Sequence, residues 1–345
     1  MFEQWQITAE AVFSVFAVIA AGVLFRKVGW LTEEADESLL RLVVNVLLPA
    51  LIFDNVVRSE AFSDVSNIWA PPLVGYLCVC LGVLAALIVS RLGPRTTGLL
   101  TPRAVGTFAL CVGLFNYGFI PIPLVQRLFD ERTLGVLFMH NQGVELAIWT
   151  VGVLVVSGTL GSRWYKKLIN PPAIAILIAL TINLFGLQSY IPAFLNNAIH
   201  WLGVAAIPMS MTLIGATIAD QMRRKRDGAD VDGEGEGDAN NRPLGVSSMK
   251  TIFWGTALRL GLLPLIFVAA AVYLPFSPEL KRVMIVQAAM PSAVFTIVMA
   301  RHFGGDSPTA LRVVLSNSLL ALITIPLWIV FGARWAGIVL GGGTP

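Results

Sequence analysis

The chain has 345 residues, of which 56 % are hydrophobic and 13 % charged, and its mean hydropathy is +0.76. A soluble domain carries about 25 % charged residues, so the composition excludes a water-soluble protein and predicts a polytopic membrane protein. The net charge of +3 gives no support for nucleic-acid binding, because the one basic cluster, at 223–226, is short and directly follows an apolar segment.

Ten apolar segments are long enough to cross a bilayer, which takes about 20 mostly apolar residues. Numbered as spans one to ten, they are residues 8–26, 38–58, 68–91, 104–128, 133–158, 171–187, 195–220, 250–274, 282–303 and 308–332. The odd-numbered loops between them carry seventeen Lys and Arg residues and the even-numbered loops five. The positive-inside rule therefore places the odd loops in the cytoplasm and both termini outside the cytoplasmic membrane.

Five spans lie on each side of a short connector at 159–170. This spacing predicts a first repeat at 1–158, a second repeat at 171–332 and a short external tail at 333–345. Because five is odd, the second repeat begins on the opposite side of the membrane, so the two repeats would be inverted. The second repeat includes a polar, glycine-rich cytoplasmic loop at 221–249, which is predicted to be disordered, with its basic start against anionic lipid.

Prolines interrupt corresponding spans of the two halves. Span two contains Pro49 and span seven Pro208. Span four reads FNYGFIPIPL, with Pro121 and Pro123, and span nine reads QAAMPSAVF around Pro291. In hydrocarbon an irregular backbone survives only inside protein or beside a wet cavity, so paired interruptions predict the binding site of a transporter. A half-helix that begins there, with proline in its first turn, would aim free amide donors at an anionic group.

These motifs resemble the auxin efflux carrier (PIN-like) transporter family over essentially the whole chain. The resemblance lies in LLRLVVNVLLPALIF of span two, FNYGFIPIPL of span four, AAMPSAVFTIVMARHFGG of span nine and RVVLSNSLLALITIPLW of span ten. It implies a fold similar to that of bile acid–sodium symporters, with ten helices in two inverted five-helix repeats and helices four and nine unwound and crossing. It also implies small carboxylates or auxin-like weak acids as substrates, elevator-like motion against a scaffold made from the first two helices of each repeat, and a homodimer through that scaffold.

The resemblance implies site residues as well. Asn116 matches the crossover asparagine of the family, Pro123 the proline of its Gly-Ile-Pro motif, and Pro291 the second crossover proline. Pro121 departs from the family pattern, in which many members have glycine. Together with a polar face of span five, these matches predict a substrate site made of Asn116, Tyr117, Pro121, Pro123, Asn141, Gln142, Glu145, Pro291, Ser292 and Val294.

Two ionisable residues lie well inside predicted spans, where such groups are functional hypotheses by default. Glu145 shares a helical face of span five with Asn141. It is a candidate group for coupling to a proton or a sodium ion, and the alternatives are a structural ion pair or an interhelical hydrogen bond. A fixed negative charge would repel an anion, so Glu145 assists transport only if a proton, a cation or an arginine neutralises it. Arg259 in span eight either snorkels to the surface, serves as a structural charge, contacts the substrate anion or pairs with Glu145.

No cofactor, metal site or catalytic constellation is predicted. Cys78, Cys80 and Cys111 lack the usual zinc spacing, and the sequence contains no Gly-x-Ser-x-Gly, HExxH or phosphate-loop motif. The predicted function is therefore secondary transport of a small organic anion across the cytoplasmic membrane. The alternative is a non-transporting membrane receptor or scaffold that signals through the 221–249 loop.

Overall fold

The computed structural model describes residues 2–159, 168–226 and 246–341. Within these ranges the chain is helical apart from short connections and one isolated antiparallel bridge, which confirms the all-α prediction. Six helical stretches in this part of the chain are long and apolar enough to cross a membrane: Trp5–Lys27, Glu33–Val57, Ser66–Ser90, Ala193–Asp220, Ser248–Tyr273 and Ser307–Trp335. Of the other predicted spans, span six is a shorter helix and spans four and nine are broken, whereas span five is continuous helix with one π-helical turn.

The helices of the first half are α1 (Phe2–Lys27), α2 (Glu33–Leu42), α3 (Leu48–Val57), α4 (Ser66–Ser90), α5 (Pro94–Thr97), α6 (Pro102–Gly113), α7 (Pro121–Leu128), α8 (Glu131–Ala147) and α9 (Val153–Ser157). Those of the second half are α10 (Pro171–Leu184), α11 (Ala193–Arg226), α12 (Val246–Thr256), α13 (Leu263–Tyr273), α14 (Pro278–Ala288), α15 (Phe295–His302) and α16 (Ser307–Trp335). Three π-helical turns join consecutive helices: Val43–Leu47, Ile148–Gly152 and Ala257–Leu262.

Pro49 and Pro208 do not break their spans, contrary to the prediction. α11 continues as one helix past Pro208, and the helix of span two continues past Pro49 after a π-helical turn. A helix tolerates proline when local winding or a side chain compensates for the lost hydrogen bond. In span eight this compensation comes from Trp328, whose Nε1 donates at 2.7 Å to the carbonyl of Leu260, the acceptor four residues before Pro264.

Two boundaries differ from the prediction. α10 has 14 residues, about 21 Å at 1.5 Å per residue, so it is shorter than the hydrocarbon core of about 30 Å. Helix also covers 221–226 and 246–249, both of which were predicted as loop. Gln, Met, Lys and Arg are good helix formers, so the end of α11 continues at little cost. The rest of the predicted loop, 227–245, lies outside the described residues.

The helices pack in two groups. The first group consists of α1, α2, α3, α10 and α11, in which α11 lies along α1 and α3, and α10 lies along α3. The second group consists of α4 to α9 and α12 to α16, in which α4 packs against α6 and α8, and α14 against α8 and α13. Contacts between the groups run mainly from α1 to α16 and α7. The chain therefore enters each group twice, once in each half.

Glycines allow the tightest approaches between helices. A Cβ atom on Gly143 of α8 would lie 1.7 Å from the carbonyl oxygen of Pro72 in α4, and one on Gly215 of α11 would lie 2.0 Å from that of Ile19 in α1. Small residues at such crossings let two backbones touch, which is a common way to pack helices in membranes. Among the described glycines, every approach of this kind to a backbone atom lies within one group, so each group is tied together internally.

Candidate functional site

The interruptions in spans four and nine lie against each other. In span four, residues 114–120 separate α6 from α7, and in span nine, residues 289–294 separate α14 from α15. Phe115 and Ser292 form an antiparallel bridge between these segments. Two backbone hydrogen bonds flank the bridge: Asn116 N to Pro291 O at 2.8 Å, and Ala293 N to Leu114 O at 2.9 Å. Each broken segment thus supplies backbone partners to the other, as irregular backbone at membrane depth requires.

The prolines have different roles in the two segments. Pro121 is the first residue of α7, a position that suits proline because its missing N–H would have no acceptor within the helix. Pro123 lies in the same first turn. Pro291 lies in the extended segment instead, and α15 begins only at Phe295. The predicted proline in the first turn of a half-helix is therefore present in α7 and absent from α15.

Backbone donors without partners precede α7. The amide of Ile120 donates to Oδ1 of Asn116 at 3.4 Å, but those of residues 117–119 have no acceptor in the described part of the chain. These three residues are partly exposed, and a Cβ atom built on Gly118 would have no neighbouring atom within 4 Å. Free amide donors beside open space at a helix N-terminus form an arrangement that binds anions.

Asn116 lies at the edge of this space and is 7 % exposed. Its backbone N–H donates to Pro291, and its Oδ1 accepts from Ile120. Both groups are therefore engaged where the segments 114–120 and 289–294 meet, which we call the crossing. Its side-chain NH2 group has no acceptor among the residues that the structure describes, so it can donate to a ligand.

Glu145 is held by two neutral donors. The Tyr117 hydroxyl donates to Oε1 at 2.5 Å, and the indole Nε1 of Trp149 donates to Oε2 at 3.2 Å. No Lys or Arg nitrogen of the described residues forms an ion pair with this carboxylate. The predicted alternative of an ion pair between Glu145 and Arg259 is therefore wrong for this structure.

A cavity of about 440 Å³ lies beside Glu145. Its lining residues are Pro72, Leu73 and Tyr76 of α4, Gln142, Gly143, Glu145 and Leu146 of α8, and Leu168. It brings together Gln142 and Glu145, two of the predicted site residues, and adds Tyr76, which the sequence motifs did not single out. The cavity thus lies between α4 and α8 of the second helix group, beside the segment that leads into α10.

Gln287 of α14 connects the crossing to span five, although the sequence analysis did not select it. Its Nε2 donates to the carbonyl of Tyr117 at 3.0 Å and to Oδ1 of Asn141 at 3.1 Å. It is 3 % exposed, and its Oε1 has no partner within the described ranges. A chain of hydrogen bonds thus runs from Asn141 through Gln287 and Tyr117 to Glu145. The available signal was an amide at membrane depth, four residues before Pro291, because such groups bond across helices.

The last two predicted residues lie on the span-nine side. Ser292 is 1 % exposed, and its hydroxyl donates to the carbonyl of Cys111 at 2.6 Å and accepts from Nδ2 of Asn317 at 2.8 Å. This hydroxyl is therefore engaged within the protein. Val294 is partly exposed and directly precedes α15.

Arg259 is fully buried, with 0 % exposure, so the expectation that it snorkels is wrong. Its guanidinium donates to carbonyls at the end of α14: Nε to Met290 at 2.9 Å, and Nη2 to Gln287 and Ala288 at 3.3 Å each. It also lies over the ring of Phe115, with Cζ 4.9 Å from the centroid. Carbonyls at the C-terminus of a helix lack donors within the helix, and they carry the negative end of the helix dipole. Arg259 thus joins the end of α14 to the other broken segment, and its Nη1 has no partner among the described residues.

Comparison with known proteins identifies the family. A family model described as membrane transport protein matches residues 7–162 and 155–329. The chain belongs to this family of membrane transporters. The match confirms the family that the motifs of spans two, four, nine and ten indicated, and this family is one of transporters rather than enzymes.

Similar curated proteins come from archaea and yeast. An uncharacterized transporter of Methanothermobacter thermautotrophicus is 28 % identical over 324 residues, which is 93 % of this chain and 97 % of the relative. An uncharacterized transporter of Methanocaldococcus jannaschii is 23 % identical over 333 residues, or 93 % and 98 % of the two chains. An uncharacterized transporter of Saccharomyces cerevisiae is 26 % identical over 138 residues, 40 % of this chain and 20 % of the relative. The archaeal relatives match over nearly their whole length.

Proposed function

We propose that this transporter moves a small organic anion, a carboxylate or an auxin-like weak acid, across the cytoplasmic membrane by elevator-type alternating access. The observation that carries the proposal is the open space at Gly118, next to the unpartnered amides of residues 117–119 and the free side-chain NH2 of Asn116. A carboxylate in this space would accept several hydrogen bonds at the positive end of α7. Pro121 begins α7 there, and the Pro291 segment closes the crossing behind Asn116.

The proposal includes ten membrane spans in two inverted repeats, with residues 1–158 and 171–332 as the repeats and both termini outside. Equivalent packing in the two halves supports this symmetry. If spans one and two correspond to spans six and seven, the packing of α1 on α11 corresponds to that of α10 on α3. In the same way, the packing of α4 on α6 corresponds to that of α13 on α14.

The two helix groups support the elevator part of the proposal. The first group contains spans one, two, six and seven, the set that the family resemblance implies as scaffold and as the interface of a homodimer. The second group contains the crossing, and backbone contacts at glycines tie each group into one body.

Glu145 remains the candidate for coupling. Because no arginine or lysine of the described residues neutralises it, an approaching carboxylate would meet a like charge. A proton, a sodium ion or another cation therefore has to balance this carboxylate for an anion to pass.

Asn116→Asp tests the carboxylate site. The variant keeps the oxygen that accepts from Ile120 but replaces the free NH2 group by a second carboxylate oxygen. We expect carboxylate uptake by proteoliposomes to fall at least tenfold, about 1.4 kcal/mol, because a hydrogen-bond donor is lost and the anion is repelled. Folded yield should stay unchanged, since the hydrogen bond to Ile120 is retained.

Asn197→Asp, at an exposed position near the outer end of α11, is the matched control and should transport normally. Wild-type uptake by Asn116→Asp would contradict the proposed site. Binding without flux under any gradient would favour a receptor or scaffold instead.

Gly118→Leu tests the open space. Its backbone is outside the left-handed region and its Cβ position is free of neighbours, so the side chain should fit without disturbing the fold. We expect substrate affinity to drop at least tenfold while the thermal unfolding temperature stays the same. Gly261→Leu, at a second glycine with no atom near its Cβ position, controls for the substitution itself. Equal affinity in both variants would mean that substrate binds elsewhere.

A further inference from the structure

Glu145 is surrounded by donors and lacks a cation among the described residues. The indole N–H of Trp149 can only donate, and the Tyr117 hydroxyl lies 2.5 Å from Oε1. Both groups can stabilise the charged form of the carboxylate. A charge at membrane depth without a cation is unfavourable, so a ligand that brings a cation to Glu145 would gain from it.

The surroundings of Glu145 suit an organic ammonium group better than a metal ion. An ionised carboxylate has about four lone-pair positions, and the two neutral donors use two of them. The wall of the cavity adds the amide of Gln142 and the ring of Tyr76, and aromatic rings attract ammonium groups. Calcium takes six to eight oxygen ligands and magnesium six, whereas the only side-chain oxygens among the described residues of the lining are those of Glu145, Gln142 and Tyr76.

The rest of the cavity is apolar. Pro72, Leu73, Leu146 and Leu168 supply most of its remaining lining, and its volume of about 440 Å³ is within the usual range for small-molecule sites, about 300–1,000 Å³. It can therefore take up an aliphatic or aromatic side chain attached to the charged groups.

The unpartnered amides before α7 form a positive region, and the side chain of Tyr117 connects it to Glu145. The backbone amide of Tyr117 is itself one of these unpartnered donors, and its hydroxyl bonds Glu145. The buried guanidinium of Arg259, stacked on Phe115, adds positive potential behind the crossing without pairing with Glu145. Neighbouring poles of opposite sign are complementary to a dipolar molecule, whereas a plain carboxylate would be repelled by Glu145.

We propose that the substrate is a zwitterionic amino acid with an apolar side chain. Its carboxylate accepts from the amides of residues 117–119 and from Asn116, its ammonium group donates to Glu145, and its side chain enters the cavity. This inference rests on the proposed function, since it presupposes the carboxylate site at the crossing. It names the ammonium group of the substrate, rather than a separate proton or sodium ion, as the cation that balances Glu145.

The experiment compares L-phenylalanine with two analogues that each lack one of its charged groups. In 3-phenylpropanoate the amino group is missing, and in phenethylamine the carboxylate is missing. Binding to the purified full-length protein is measured by calorimetry and by ligand-dependent thermal shift. We expect the wild type to bind phenylalanine at least about 30-fold more tightly than either analogue. In Glu145→Gln the advantage over 3-phenylpropanoate should fall below about threefold, whereas Glu145→Asp, which keeps the charge, should retain most of it.

The outcomes separate this inference from the function on which it rests. If wild type binds 3-phenylpropanoate as tightly as phenylalanine, the ammonium inference is overturned and the carboxylate site stands. The same conclusion follows if the affinity for 3-phenylpropanoate rises when sodium is added or when the pH is lowered. Glu145 would then bind a coupling ion. If phenethylamine binds best, or if Asn116→Asp leaves phenylalanine binding unchanged, the carboxylate site is overturned as well. If none of the three probes binds, the substrate class is wrong. The wild-type comparison needs no variant, so it remains decisive even if Glu145→Gln misfolds.

Discussion

Arg259→Met is expected to abolish transport and to destabilise the protein strongly. Methionine has a similar length but removes the charge and all three hydrogen bonds to the end of α14. A buried acceptor that loses its donor costs about 1–3 kcal/mol, so the free energy of unfolding should fall by roughly 3 kcal/mol or more. The negative end of the α14 dipole would also lose its cation at the depth where no water replaces it.

Arg259→Lys should give an intermediate result. Lysine keeps the charge, but its point-like ammonium group cannot reach several carbonyls and stack on Phe115 at the same time. Thermal unfolding in detergent, followed by the fluorescence of the tryptophans, measures both variants. Arg41→Met is the control, because Arg41 is 72 % exposed and pairs with Glu37 on the surface, where an ion pair contributes little. If Arg259→Met were as stable as this control, the guanidinium would not hold the crossing together.

The proline pattern alone did not distinguish the prolines that break a helix from those that do not; the family resemblance singled out spans four and nine. Spans four and nine break because each supplies backbone partners to the other, through the bridge between Phe115 and Ser292. Within the described residues Pro49 and Pro208 have no such partner segment, and their helices continue. Whether a proline ends a helix in a membrane thus depends on a contact with a segment far away in the chain, which local sequence does not encode.

The same reason explains which residues of the candidate site could be predicted. Glu145 and Asn116 were predicted because an ionisable or amide group within an apolar segment stands out by itself. Gln287 and Tyr76 have their roles through neighbours on other helices, and only the packing of α14 and α4 reveals them. The position of Arg259 in span eight was equally compatible with snorkelling, and its burial follows from carbonyls about 30 residues later in the chain.

Gly143→Ala is also expected to destabilise the protein strongly, because the added methyl group forces α4 and α8 apart. The new Cβ atom would lie 1.7 Å from the carbonyl oxygen of Pro72, so the two helices must move apart. Overpacking a core typically costs about 1–3 kcal/mol, and a clash with the backbone of α4 should reach or exceed the upper end. The folded yield and the unfolding temperature should fall together, and the cavity that Gly143 borders should change shape.

The identity of the atom in contact makes this prediction specific. Because the clash at Gly143 is with a backbone oxygen, Pro72→Ala cannot relieve it. At Gly255, by contrast, a Cβ atom would lie 3.0 Å from the side chain of Val313, so Val313→Ala should restore much of the stability that Gly255→Ala loses. Rescue at Gly255 without rescue at Gly143 is the expected pattern in thermal unfolding. Rescue of Gly143→Ala by Pro72→Ala would instead mean that α4 and α8 are not held at backbone contact, and that the second helix group is not the single rigid body which an elevator motion requires.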